Sequence, residues 1–174
     1  MFRAVAVALA GILLLFAAGV AVPASAQTHS HGHGHDDHQG IPYMMMASGT
    51  ATHIKDRTAS DSSVDIHMLT TKANDNAVSF KVVEGELKVG DKTYSIVGGK
   101  ANLAVKSGRL GITMTLKDDA GKSQLLRITS VLADPLPHDG DDPASVNFKV
   151  AKALRFWKLD MRGEVAMSEP ESSG

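Results

Sequence analysis

The chain contains no cysteine. That excludes disulfides, thiolate metal sites, cysteine nucleophiles and attachment through a lipidated cysteine. Aromatic residues are scarce, with five Phe, two Tyr and one Trp, too few and too scattered for a base-stacking nucleic-acid platform. Neither sign of charge dominates: 18 basic residues stand against 19 acidic ones, a net charge of −1. Nothing in that balance attracts a polyanion or an anionic bilayer. No long apolar run follows Val22, so no later segment reads as a membrane helix. The motifs that assign catalytic roles are missing too. There is no Gly-x-Ser-x-Gly elbow, no His-Glu-x-x-His and no phosphate-cradling glycine loop, so no enzyme and no catalytic or cofactor-binding residue is expected.

What is present begins with an export signal. Arg3 precedes an unbroken apolar or glycine run from Ala4 to Val22, and Ala24 and Ala26 sit at the small-residue positions of a cleavage site. Residues 1–26 are read as a signal peptide cleaved after Ala26. The alternative is an uncleaved N-terminal anchor, since the run is near the lower length limit for a span. Cleavage leaves roughly 150 residues, enough for one domain with one core. The expected location is secreted or periplasmic, with no membrane span in the mature protein.

Behind the signal lies the most specific feature of the chain. His29, His31, His33, His35 and His38 fall within ten residues, with Asp36 and Asp37 between the last two. Neutral imidazole is the commonest protein ligand for borderline divalent metals, and a His-rich tract is read first as a metal binder. Alternate histidines share one face of an extended segment, and Gly32 and Gly34 allow the chain to fold around an ion. Three or four imidazoles, with Asp36 or Asp37, satisfy Zn(II), Cu(II) or Ni(II). Without a rigid outer shell such a site suits capture and buffering. If the mature chain starts at Gln27, His29 is its third residue. That resembles the amino-terminal copper and nickel site, in which the terminal amine, two amides and the third-residue imidazole form a square plane. Cyclisation of Gln27 to pyroglutamate removes that amine. The bland alternative for the tract is a solvated spacer.

From Gly40 onward the pattern turns to short alternating runs. Leu110, Ile112, Met114 and Leu116 alternate with Arg109, Gly111, Thr113 and Thr115, and similar alternation runs around Phe80, Leu87 and Leu103. Period two with one polar face means strands buried on one side. Gly90-Asp91, Ser107-Gly108 and Asp118 to Gly121 punctuate the runs as turns. Strands are predicted near 48–55, 63–70, 77–84, 86–90, 92–97, 100–106, 109–117, 123–133, 145–152 and 154–167. Residues 151–159 also admit a helix, with strand favoured. The prolines of Asp134 to Pro143 demand a loop. The expected fold is all-β, an antiparallel β-sandwich or β-barrel of roughly eight to ten strands. The expected division is signal peptide 1–26, disordered His-rich arm 27–42, β domain 43–168 and a frayed polar tail 169–174.

Three further groups merit weighing. Met44, Met45 and Met46 carry soft thioethers that suit Cu(I), against the plainer reading as core packing. His53 and His67 lie opposite the presumed core face and would form a shared site only if pairing brings them together. The loop His138 to Asp142 is oxygen-rich like a calcium site, but lacks EF-hand spacing and reads first as a solvated turn.

Two functions follow. The first is an exported metal-handling protein whose His arm captures copper, zinc or nickel on a β-domain scaffold. The second is an extracytoplasmic β module that binds an apolar ligand or a partner protein, with the arm incidental.

Overall fold

A computed structural model describes residues 39–168. They form eight antiparallel strands in sequence order, closed into an up-and-down barrel. The strands are β1 (Pro42–His53), β2 (Ala59–Asn74), β3 (Ala77–Val89), β4 (Lys92–Ala104), β5 (Arg109–Lys117), β6 (Ser123–Leu132), β7 (Ala144–Ala153) and β8 (Trp157–Met167). A single 3-10 turn, Val105–Ser107, joins β4 to β5. Of the two all-β architectures that the alternation allows, the chain adopts the barrel. The signal peptide 1–26, the tract from His29 to His38 and the tail 169–174 lie outside the described residues.

Alternation decides which face is inside. Along β5, Leu110, Ile112, Met114 and Leu116 are buried and their neighbours are not. Met45, Ile66, Leu87, Leu126 and Met161 project from other strands into the same core, all at 2 % exposure or less. Ala47, Ala51, Ala101, Ala144 and Ala153 are buried among them, and this mixture of small and large side chains fills a small barrel's taper. Outside, Asp65, Lys88, Lys149, Asp160 and Arg162 face away from the core. Apolar inside and charged outside is the reverse of a lipid-facing barrel.

The ten predicted strands become eight. The segments 77–84 and 86–90 are one strand, as are 92–97 and 100–106. The reason is a matched pair of bulges. Register shifts in β3 leave Val83 as an extra residue, and in β4 leave Val97. Each bulge switches the buried parity. In β3 it passes from Phe80 and Val82 to Leu87 and Val89, and in β4 from Tyr94 and Ile96 to Ala101 and Leu103. A one-residue slip sends every following side chain to the other face, so continuous strands read as interrupted ones. Gly85 takes φ 153 there, and a Cβ on it would run into the Asp65 carbonyl. The helical alternative for 151–159 is a tight turn between β7 and β8 instead, with Leu154 at φ 47 and Arg155 at φ 69.

The barrel closes unevenly. β1 and β8 pair along their whole length, from Tyr43↔Met167 to His53↔Trp157. Gly163 and Gly49 occupy inward positions at this junction, where a Cβ would collide with the Met46 and Asp160 carbonyls respectively. Glycine inside a strand here permits a sharp barrel corner. By contrast, β6 and β7 share only Ser130↔Phe148, Val131↔Asn147 and Leu132↔Val146.

Candidate functional site

One barrel end gathers both ends of the described chain. The β2–β3 and β4–β5 turns and the 133–143 loop share that end with Gly40 and Ser168. Gly40 N donates to the Thr70 carbonyl at 2.8 Å and Thr70 N to the Ile41 carbonyl at 3.0 Å. The Ile41 N–H also donates to Thr70 Oγ1 at 2.9 Å. Ser168 N donates to the Pro42 carbonyl at 3.0 Å. The β1–β2 ladder thus continues to the residue at which the His-rich sequence joins the barrel.

A cavity of about 340 Å3 opens at this same end. Its apolar walls come from Ile41, Tyr43, Val78, Val105 and Leu136, and Asn74, Asp75 and His138 bring polar groups. Ile41, Val78 and Leu136 pack on the core while remaining part-exposed. The loop over the mouth is anchored from below. Buried Tyr43 donates its hydroxyl to the Pro137 carbonyl at 3.0 Å, and its ring meets Phe80 edge-on at 5.7 Å. Burial raises the Tyr43 pKa above the ordinary phenol value, so the hydroxyl stays a donor at neutral pH. His138 N donates to Asp141 Oδ2 at 2.8 Å, and Asp141 N donates back to the His138 carbonyl at 3.1 Å. An apolar pocket with few polar groups near 300 Å3 is at the small end of ligand sites.

The opposite end holds a small electrostatic knot in the β1–β2 turn. Asp56 Oδ1 accepts from Thr58 Oγ1 at 2.7 Å, from Thr58 N at 3.1 Å and from His53 Nδ1 at 2.9 Å. The Thr58 hydroxyl, then its N–H, then His53 hold the Asp56 carboxyl well below its ordinary pKa. The His53 ring lies 5.0 Å from Trp157 and 6.0 Å from Phe156. This knot is absent from the sequence-based expectations; its only local signal is the Asp-x-Thr of residues 56–58.

The predicted metal residues His29, His31, His33, His35, His38, Asp36 and Asp37 all fall outside the described residues. The other candidates are separated. Met45 is fully buried and Met46 is 50 % exposed, because consecutive strand residues point to opposite faces. The three thioethers therefore do not converge on one copper ion. β1 and β2 do pair, but Met44 is opposite His67 and Thr52 is opposite Ala59. That register puts His53 and His67 at opposite ends of the ladder, roughly 30 Å apart at strand rise. His67 Nε2 lies 3.4 Å from Asp65 Oδ1 instead. Asp141 in the acidic loop is used by the His138 turn. Among the described residues, no three His, Asp or Glu side chains are grouped to hold a metal ion. Comparison with protein-family models, with curated proteins and with solved structures finds no match.

Proposed function

We propose that this is an exported metal-binding protein. The tract from His29 to His38 captures Cu(II), Zn(II) or Ni(II), and the barrel is its carrier. The observation that carries this reading is the density of imidazoles in the sequence, five in ten residues with two carboxylates among them. The barrel supports it indirectly. Its buried residues come from every strand, so the fold does not need the tract for its core. Main-chain bonding to β2 reaches back as far as Gly40, two residues after His38 in the sequence.

The test compares the exported full chain with a version lacking residues 27–38. Native mass spectrometry and copper or zinc titration are read beside thermal unfolding. The full chain is expected to hold metal and the shortened chain to lose it, with both unfolding at nearly the same temperature. Metal retained by the shortened chain, or an empty full chain at micromolar copper and zinc, overturns the proposal.

The cavity of about 340 Å3 at the barrel mouth favours a second reading, a module for a small apolar ligand. Fluorescence titration with a single-ring aromatic probe tests it. Saturable binding that Val78→Trp blocks is the expected result, and binding unaffected by Val78→Trp counts against it.

A further inference from the structure

The uneven closure of the barrel leaves a strand edge with receptor character. β6 is paired to β5 throughout, from Arg109↔Val131 to Lys117↔Ser123. On its other side it meets β7 only at Ser130, Val131 and Leu132. In an antiparallel strand, N–H and C=O groups point alternately to the two neighbours. From Ser123 to Thr129, the groups directed at β7 have no register partner there. Such groups must bond either water or an added strand.

The two sides of the opening differ in chemistry. The β7 side is protected in the usual ways. It has a register irregularity between Val150 and Ala153, and its Lys149 side chain is 81 % exposed. Lysines and bulges discourage strand addition. Between Ser123 and Thr129, β6 has neither proline nor glycine, a single charge at Arg127, and Leu125 at 60 % exposure. That is the composition of a strand ready to pair.

Charge then selects the occupant. A cleft of about 590 Å3 lies over the paired Ser130↔Phe148 and Val131↔Asn147 rungs that bound the opening, with Arg109, Lys149, Asp160 and Arg162 on its walls. Its single carboxylate, Asp160, is taken up by Lys149 at 3.0 Å. Among the described residues neither Arg109 nor Arg162 has an ion-pair partner. Arg127 adds a further cation on the exposed face of β6. Asp118 and Asp119 oppose this field, but they sit in the β5–β6 turn beyond the lower end of the strand. We propose that the open edge of β6 binds an extended acidic polypeptide segment by strand addition. Its main chain pairs with Ser123 to Thr129, and its carboxylates meet Arg127, Arg109 and Arg162. Main-chain pairing supplies affinity in this mode and side chains supply selection.

The exported full chain is tested with two synthetic nine-residue probes, one alternating Val and Glu and one alternating Val and Lys. Amide hydrogen exchange is read residue by residue. In the free protein, alternate amides of 123–129 should exchange much faster than those of β5. The Glu probe should slow them, and the Lys probe should not. Arg127→Glu combined with Arg162→Glu should weaken the Glu probe at least about tenfold, and raised salt should weaken it in the parent chain. Full protection of 123–129 in the free protein overturns the proposal, because the edge is then closed. Equal binding of both probes, or no binding of the Glu probe, overturns it too. Protection that appears on concentrating the protein, with a dimer in sedimentation, reassigns the edge to self-pairing and overturns it as well.

Discussion

The two junctions on either side of the β7–β8 hairpin are made of the same backbone and behave as different structures. β8 meets β1 in register along its whole length, with Gly49 and Gly163 removed from the path of neighbouring carbonyls. β7 meets β6 at one end only. Closure of a barrel is therefore not one property shared equally by its seams. Where inward side chains shrink to hydrogen, the sheet bends hard and the strands remain paired. Where β7 carries an irregularity and exposed lysine, the ladder stops early. Local stability should follow that asymmetry, since opening free energies vary along a fold.

The largest effect is expected at the tight junction. Gly163→Val puts a Cβ against the Met46 carbonyl and Ala47, and backbone there cannot yield as a flexible side chain would. A loss of about 3 kcal/mol or more is expected in urea unfolding. Gly111→Ala is the control, because nothing lies within 4 Å of its added Cβ. It should stabilise by roughly 0.5 kcal/mol, by restricting the unfolded chain. Equal losses for the two would remove the physical basis of the comparison.

Truncations on the two seams sharpen it. Met161, on β8, is 1 % exposed and Val150, on β7, is 8 % exposed. Met161→Ala should cost about 2–4 kcal/mol and Val150→Ala about 1–2 kcal/mol, read by the same unfolding curves. A larger loss at Val150 would mean that the β6–β7 side is packed as tightly as β8–β1. Tyr43→Phe removes the hydroxyl bonded to Pro137. It should cost about 1 kcal/mol and speed amide exchange in the 133–143 loop, leaving both seams as they are.

The smallest effect is electrostatic and far from either seam's centre. The Asp56 carboxyl is held below its ordinary pKa by Thr58 and His53, so the folded chain binds its proton less readily than the unfolded chain. Its contribution is complete above the ordinary carboxylate value near ~3.9 and is lost as pH falls through the lowered folded value. Asp56→Asn should lower the melting temperature slightly near neutrality and flatten the acid limb of its pH profile, so that variant and parent converge as pH falls. An unchanged acid limb would show that the turn hydrogen bonds do not differ between folded and unfolded chains.

Much of the barrel could be read before any coordinates. β5 was marked by four alternating apolar residues, and its bounds in sequence and structure agree. Gly90-Asp91 announced a turn, and β3 and β4 do form a hairpin there, with Gly90 at φ 56. The 134–143 loop was dictated by its prolines. The bulges at Val83 and Val97 were not legible, because a parity switch looks like a strand end unless the partner's register is known. The β7–β8 turn was hidden for another reason. Leu154 and Arg155 occupy positive φ, a conformation that their residue types rarely announce. Of the functional candidates, the mouth cavity and the open β6 edge had no sequence signal at all. Each is made of residues far apart in the chain.

The sequence by itself determined the composition of the two faces, the class of fold, the turns that glycine and proline impose, and the placing of five histidines within ten residues. Tertiary structure alone decided that the sheet closes, which strands stay paired, and which of the scattered histidines and methionines meet. Period and propensity act over a few residues, where side-chain direction is set by the local backbone. Register and closure depend on packing between residues tens of positions apart. There a hydrogen at Gly163 or an extra residue at Val83 decides the outcome.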